Sequence, residues 1–208
     1  MIGRSRLRAA IAGAALLVGA VALTSCGSDS GDSTFSGYER TPTPQVGDLT
    51  LPAVAPDGTE TQLAMKASDG KVMLVYFGYT NCPDICPTTL SDVRQALGDL
   101  GDEASNVELT MVSIDPEVDT PDVLSNYVRS FVPDAMAVST LDDTRLREAA
   151  EGFGADYGKE EVDGKLQPYH TTSLYAVDPE GDLVLSWTFG TTPDDLAADL
   201  RLLLERVA

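Results

Sequence analysis

The sequence predicts an α/β protein with a mixed central sheet and helices on both faces. Residues 72–77 and 107–114 are apolar runs without alternation, which is typical of strands buried on both sides. Between them, apolar residues recur at spacings of three and four from Leu90 to Leu100, as in a helix that packs one stripe onto a sheet. Such a strand, helix, strand unit implies a parallel pair joined by a right-handed crossover.

The segments before and after this unit predict further strands and helices. Residues 49–54 and 59–63 flank the turn signal Pro56-Asp57-Gly58, so we expect a hairpin ahead of the central strand. After the second core strand, Thr120 and Pro121 are typical of an N-cap and a first helical position. The expected buried stripe of that helix consists of Val123, Tyr127, Val128 and Phe131.

The second half of the chain completes the fold. A short strand is expected at 137–138, and Asp142 and Asp143 are expected to cap a helix. Its inward residues are predicted to be Leu146, Ala149, Ala150 and Phe153. Asp163-Gly164 marks a hairpin turn in a polar stretch. Residues 169–177 and 183–189 are predicted to form a closing hairpin, and a last helix to cover 193–207. Its predicted apolar face consists of Leu196, Leu200, Leu203 and Leu204. This order predicts a thioredoxin-like fold with an N-terminal hairpin extension.

The first 25 residues have the features of an export signal. Three arginines precede a stretch of small apolar residues, 9–23, that is short for a membrane-spanning helix. Leu23-Thr24-Ser25-Cys26 resembles the lipobox of bacterial lipoproteins, which implies cleavage before Cys26 and lipidation of its sulfur. An uncleaved anchor, or a plain secretory signal with a chance cysteine, is the alternative. We therefore expect a protein held by lipid on the extracytoplasmic face of a bacterial cell membrane.

The composition of the rest of the chain indicates its domain organisation and excludes one class of partner. Residues 26–44 comprise Cys26 and a stretch rich in Gly, Ser, Asp, Thr and Pro, and are predicted to form a lipidated, flexible tether to a domain at 45–208. The chain has 14 basic and 33 acidic residues. Such an acidic balance argues against nucleic-acid binding, because phosphate contacts need clusters of Lys and Arg.

Two cysteines stand where the central strand meets the following helix. If Cys26 is lipidated, Cys82 and Cys86 are the remaining thiols, and exported thiols are usually paired or bound to metal. A Cys82–Cys86 disulfide closes a loop of only five residues and would stabilise the fold by only about 2 kcal/mol. The pair is therefore better suited to redox chemistry or to holding a soft ion. A helix N-terminus favours the thiolate, whereas the charge of Asp84 is expected to raise the thiol pKa.

His170 is the only histidine in the chain. A lone histidine is more often a structural residue, but this one begins the strand expected beside the central strand, which would place it over the two thiols. Two thiolates and an imidazole form a soft set of three ligands. Copper accepts this set in trigonal geometry and thiolate favours Cu(I), whereas structural zinc prefers four ligands. The residue types therefore predict a copper site at Cys82, Cys86 and His170.

Other candidate residues have simpler explanations. Asp115 and Asp119 are candidate metal carboxylates, but they stand at a strand end and a helix start, where Asp commonly caps. The aromatic residues Tyr76, Phe77, Tyr79 and Trp187 are expected to pack in the core.

Three motifs together resemble those of the SCO/SenC family of copper-binding, thioredoxin-like proteins. They are YFGYTNCPDICP at 76–87, SIDPEVDTP at 113–121, and His170 followed by a strand that ends in Val177-Asp178-Pro179. They occur in the family's order within 45–207. One departure is Thr171, where serine is more usual. The resemblance implies copper bound by Cys82, Cys86 and His170. It also implies delivery to the Cu_A-bearing subunit of cytochrome c oxidase, with another copper chaperone or a thiol reductase as further partners.

Two functions therefore remain open at the level of sequence. The first is a copper metallochaperone. The alternative is a thiol–disulfide oxidoreductase, in which one of Cys82 and Cys86 attacks an extracytoplasmic cysteine pair and the other resolves the mixed disulfide. His170 separates the two, because thiol exchange needs no ligand there. A peroxidase of the same fold is disfavoured, since Tyr79 and Pro83 stand where such sites place Thr or Ser.

Overall fold

The computed structural model describes residues 34–208 and contains one seven-stranded mixed sheet, a separate two-stranded hairpin and four α-helices. The strands are β1 Thr50–Val54, β2 Glu60–Ala64, β3 Val72–Gly78, β4 Val107–Ser113, β5 Met136–Val138, β6 Tyr157–Val162, β7 Lys165–His170, β8 Leu174–Val177 and β9 Leu183–Trp187. The helices are α1 Ile85–Leu100, α2 Pro121–Arg129, α3 Asp143–Phe153 and α4 Pro193–Val207, with a 3₁₀ helix at Gly101–Asn106. Among residues 34–208, no helix is both long and apolar enough to cross a membrane.

The strand order of the large sheet is β2-β1-β5-β4-β3-β8-β9. β3, β4 and β5 are parallel, whereas β8 runs antiparallel to β3, and the β1–β2 hairpin extends the sheet beyond β5. The carboxyl ends of β3 and β4 and the amino end of β8 therefore lie side by side at the same end of the sheet. This confirms the predicted α/β class, its thioredoxin-like mixed sheet and its N-terminal hairpin.

Strand β3 forms the centre of two hydrophobic cores. All seven of its residues are buried, as the unbroken apolar run predicts. Leu74 and Tyr76 face the core built with α1, α2 and α4, whereas Val75 and Phe77 face the core built with α3. Helices therefore cover both faces of the sheet, and β3 has no freedom to shift by one residue without exchanging its two faces.

Helices α3 and α4 bury all the residues predicted for them, and α2 departs by one position. Thr120 caps α2 through a hydrogen bond from the Val123 N–H, with Pro121 at the first helical position, as expected. The buried stripe, however, begins at Leu124, and Val123 is 43 % exposed. Tyr127, Val128 and Phe131 do pack against the core. The helix uses the 124, 127, 128, 131 spacing, which keeps one continuous face.

The predicted strand at 169–177 is wrong, because the chain leaves one sheet and enters another within it. His170 ends β7, which pairs with β6 around the predicted Asp163-Gly164 turn, and β8 begins only at Leu174. The Thr171 N–H donates to the Asp156 carbonyl at 2.8 Å, and the Asp156 N–H donates to Thr171 Oγ1 at 3.0 Å. These hydrogen bonds take the backbone out of line with β8, so His170 belongs to the small hairpin.

Residues 35–44, which we call the strap, differ from the predicted flexible tether. Tyr38 exchanges two backbone hydrogen bonds with Ser186 of β9, and the strap thereby covers an edge that would otherwise be open. The N–H groups of Ser36 and Gly37 donate to the Asp199 carboxylate at 3.0 and 2.8 Å. The domain thus begins about ten residues before the predicted boundary at 45. The predicted signal peptide and Cys26 lie outside the described residues.

Asp199→Asn is expected to lower the free energy of unfolding by about 2 kcal/mol. The carboxylate is 1 % exposed and also accepts a 2.7 Å hydrogen bond from the Trp187 indole, so it serves three donors that an amide cannot satisfy together. Urea unfolding followed by tryptophan fluorescence measures the loss. Asp194→Asn, at an exposed position on the same helix, is the control and should change stability by less than about 0.5 kcal/mol. Equal effects of the two substitutions would contradict this account.

Candidate metal centre

The cysteine loop joins the end of β3 to the first turn of α1. Cys86 lies buried in that turn, and Cys82 is half-buried in the loop before it. The Cys86 N–H donates to Cys82 Sγ at 3.4 Å. Asp84 stands at the N-cap position, but its side chain makes no capping hydrogen bond. The Cys82 sulfur therefore occupies the place of the helix cap, where unpaired N–H groups favour a thiolate.

Gly78 allows this loop to lie close to the strand that precedes it. A Cβ atom at this position would come within 3.0 Å of Cys86 Sγ and 2.8 Å of the Tyr76 ring. Both distances are shorter than side chains tolerate in a packed core. The glycine that ends β3 therefore permits the buried cysteine to reach the edge of the sheet.

His170 reaches the cysteine loop from the end of β7. Its Nδ1 lies 2.9 Å from the Thr171 carbonyl oxygen, and its Nε2 lies 3.5 Å from Cys86 Sγ. Because a carbonyl only accepts, Nδ1 carries the proton and Nε2 presents its lone pair to the thiols. Burial lowers the pKa of His170, so the ring is neutral at pH 7.

The structure brings Cys82, Cys86 and His170 together. Their ligand atoms, two sulfurs and one imidazole nitrogen, all lie within 4.8 Å of one another. Both cysteines are free thiols in this structure, and the Cys82–Cys86 disulfide remains a prediction. Among residues 34–208, no fourth ligand joins this cluster. Two soft sulfurs and one nitrogen held this close fit Cu(I) better than they fit structural zinc.

Asp115 and Asp119, the two candidate metal carboxylates, do not join the cluster. The Asp119 side chain accepts hydrogen bonds from Thr80 and Ser113, and Asp115 lies beside Lys159. The expected structural role is the better description, although the cap of α2 is Thr120 rather than Asp119.

Sequence reasoning missed the contribution of two tyrosines. The Tyr76 hydroxyl lies 3.5 Å from Cys86 Sγ, and the rings of Tyr76 and Tyr79 each contact the His170 ring edge-on, with centroids 5.9 Å apart. Burial raises the pKa of Tyr76 above its usual range and the pKa of Tyr79 to about 12, so both hydroxyls stay protonated. The sequence feature that could have indicated this contribution is Tyr76, a residue with a hydroxyl group near the end of an otherwise apolar buried strand.

The two thiols differ in acidity. Burial raises the pKa of Cys86 to about 12. Burial also opposes ionisation of Cys82, but hydrogen bonds from the N–H groups of Cys86, Asp84 and Ile85 outweigh it and bring the Cys82 pKa below its usual value. Asp84 was expected to raise the thiol pKa through its carboxylate, whereas its backbone N–H lowers that of Cys82. Cys82 is therefore the accessible and more acidic thiol, and Cys86 is a buried, protonated thiol.

Comparison with known proteins agrees with this geometry. A family model described as SCO1/SenC matches residues 54–205, most of the chain. The chain belongs to the SCO1/SenC family. A SCO2-like protein of Rickettsia prowazekii is 30% identical over 115 residues, which cover 54% of this chain and 56% of that protein. Across the first three curated relatives, the match covers 39% to 65% of their length.

Two solved SCO1/SenC structures resemble this one closely. The solution structure of apo Sco1 from Thermus thermophilus is 33% identical, with a TM-score of 0.68, and the match covers 82% of this chain and 97% of that one. The structure of Bradyrhizobium japonicum ScoI with copper bound is 31% identical, with a TM-score of 0.62 and coverage of 76% and 98%. These matches support the thioredoxin-like fold.

Alkylation of the reduced, metal-free protein should modify Cys82 well before Cys86. Only Cys82 is both accessible and shifted toward the thiolate, and the thiolate is the reacting form. Its rate should rise with pH and level off below the pH at which a free cysteine does, whereas Cys86 stays unreactive up to about pH 10. Mass spectrometry of iodoacetamide-treated protein, with Cys82→Ser and Cys86→Ser as controls, measures both rates. Modification of Cys86 first would show that the assignment is reversed.

Proposed function

We propose that this SCO1/SenC protein is a copper metallochaperone that holds copper with Cys82, Cys86 and His170 and delivers it to the Cu_A centre of cytochrome c oxidase. The observation that carries the proposal is the convergence of two sulfurs and one imidazole Nε2 within 4.8 Å. Copper bound to the Bradyrhizobium relative supports the choice of metal. The family resemblance supports the choice of recipient.

The arrangement of the three ligands suits a cargo that must leave again. Cys82 and His170 are only partly buried, so a recipient can approach the ion from the side on which they lie. Cys86 is buried and would bind the ion from the protein interior. A site with three ligands leaves one position open for an incoming ligand from the recipient. Binding releases the proton of Cys86, because the metal takes the thiolate. Affinity should therefore rise with pH.

The cellular setting completes the proposal. The lipobox at Leu23-Thr24-Ser25-Cys26 supports a lipid anchor on the extracytoplasmic face of the bacterial membrane, where the Cu_A-bearing subunit would be the recipient. Another copper chaperone or a thiol reductase would supply the copper or the electrons that reduce a Cys82–Cys86 disulfide.

A thiol–disulfide oxidoreductase is the second candidate, and the unequal acidity of the thiols favours it. An accessible cysteine of lowered pKa beside a buried partner is the usual arrangement of attacking and resolving thiols. In that role Cys82 attacks the partner disulfide, forming a mixed disulfide and releasing one partner thiolate. Cys86 then displaces the second partner thiol, which leaves Cys82–Cys86 oxidised and the partner reduced. The two roles are compatible, since copper binding needs the reduced pair.

Anaerobic titration should show one equivalent of Cu(I) bound by the reduced protein, with affinity reduced more than about 100-fold in Cys82→Ser and in His170→Ala. Removing one of three ligands costs more than removing a group that only orients a ligand. Competition with a chromophoric Cu(I) chelator measures the affinity. Asp194→Asn, far in sequence from the cluster, is the matched control and should bind as the parent protein does.

The same variants separate the two candidate functions. His170→Ala should retain thiol exchange with a model disulfide while losing copper affinity, because exchange needs the two sulfurs alone. Weak copper binding that is indifferent to His170 would contradict the metallochaperone and leave the oxidoreductase. Loss of both properties in His170→Ala would contradict the separation itself.

A further inference from the structure

We propose that the loop between β4 and α2, residues 115–119, positions both halves of the metal centre. Asp119 holds the cysteine loop through Thr80, and Asp115 holds the histidine hairpin through Lys159. The test by copper affinity rests on the proposed copper site, whereas the test by contacts between aromatic rings needs no metal. It assigns a role to the Asp115-Pro116-Glu117-Val118-Asp119 segment beyond that of ending a strand and starting a helix.

The first attachment is the buried carboxylate of Asp119. It is 0 % exposed, and it accepts hydrogen bonds from the Thr80 N–H at 3.1 Å, the Thr80 hydroxyl and the Ser113 hydroxyl at 2.8 Å. A buried carboxylate is retained only where such donors compensate for its lost hydration. Its donors come from the cysteine loop and from the end of β4. The carboxylate therefore fastens that loop to the sheet.

Thr80 stands two residues before Cys82, so fastening Thr80 limits where the sulfur can lie. The Cys82 N–H donates to the Tyr79 carbonyl at 3.3 Å, and the Tyr79 ring contacts His170. Tyr79, which precedes Thr80, contacts the histidine, and Cys82, two positions after Thr80, is a proposed metal ligand. Displacement of Thr80 would move both together.

The second attachment is an ion pair to the β6–β7 hairpin. Lys159 Nζ lies 3.0 Å from Asp115 Oδ1 and 3.4 Å from Glu117 Oε2. The contact with Asp115 is an ion pair by distance, although it lacks the angle of an aligned hydrogen bond. In the hairpin Lys159 lies opposite Pro168, two residues before His170. The ion pair therefore holds β6 against loop 115–119, and β6 pairs with β7, the strand that carries the imidazole.

Hydrogen bonds hold the backbone of the loop that makes both attachments. The Asp119 N–H donates to the Asp115 carbonyl at 2.9 Å, and the Asp115 N–H donates to Ser113 Oγ at 3.0 Å. The Asp119 carbonyl also accepts from the Ser139 hydroxyl at 2.6 Å. Movement of one attachment is therefore transmitted to the other. A site whose ligands come from two separate segments needs such a connection, since ligand atoms must be held to within about 0.5 Å.

The decisive variants are Asp119→Asn and Thr80→Val, with Thr80→Ser as the conservative rescue. An Asn amide offers one acceptor oxygen where the carboxylate offers two, and Val removes only the hydroxyl. Both should weaken Cu(I) binding about 10- to 100-fold, whereas Thr80→Ser should bind within about twofold of the parent. Lys159→Met, which keeps the apolar stem, should weaken binding by about fivefold, because the ammonium is partly exposed.

The metal-free measurement uses contacts between aromatic rings in the reduced protein. Nuclear Overhauser effects between the Tyr79 and His170 rings, whose centroids are 5.9 Å apart, should weaken in Asp119→Asn and in Lys159→Met. Asp199→Asn is the matched control, since it removes an equally buried carboxylate at the strap. It should lower the melting temperature while leaving both the copper affinity and the ring contacts unchanged.

The outcomes distinguish this inference from the proposed function. If the parent protein binds no copper, the copper proposal fails, and the ring contacts alone decide whether loop 115–119 positions the two halves. If Asp119→Asn does not fold, Thr80→Val and Lys159→Met decide in its place. Copper affinity and ring contacts that stay at parental values in the folded variants would overturn the inference, whatever their melting temperatures.

Discussion

The hydrogen bond from the Cys86 N–H to the Cys82 sulfur joins the chemistry of this protein to its fold. It places one sulfur at the cap position of α1 and the other in the first turn of the same helix. The position of that helix follows in turn from β3, whose seven buried residues supply both cores and end at Gly78. The location of the thiols is therefore set by burial of the strand. Their unequal acidity is set by the burial of Cys86 and by the N–H groups of the helix terminus around Cys82.

The histidine reaches this place by a different route. It lies at the end of a small hairpin outside the main sheet, and hydrogen bonds between Thr171 and Asp156 hold the base of that hairpin. Two tyrosine rings and a backbone carbonyl then fix the orientation of the imidazole. Because each half of the centre is anchored separately, the contacts between the halves determine whether three ligands can meet on one ion.

Most of the fold and the cluster of Cys82, Cys86 and His170 could be predicted from sequence, for identifiable reasons. Buried strands and amphipathic helices leave strong periodic patterns, so β3, β4, α3 and α4 were placed well. The path of the chain at His170 could not be predicted, because it depends on hydrogen bonds between Thr171 and Asp156, which are distant along the chain. The strap was assigned to a tether since its composition is polar, yet its backbone pairs with β9 and its N–H groups serve Asp199.

Around the metal centre, too, residues with a sequence pattern could be predicted, whereas contacts made only in the folded chain could not. Cysteine and histidine are recognisable in a sequence by their rarity and spacing. Tyr76 and Asp119 act through polar atoms that lie close to the cysteine loop only in three dimensions. The Asp84 contribution to the Cys82 pKa comes from its backbone N–H, which no sequence pattern displays.

X-ray absorption at the copper edge of the Cu(I)-loaded protein tests the central claim most directly, because it identifies the ligand atoms themselves. The account predicts two sulfur ligands and one imidazole nitrogen, with the imidazole scattering lost in His170→Ala. Coordination by sulfur alone, or a spectrum that His170→Ala leaves unchanged, would contradict it.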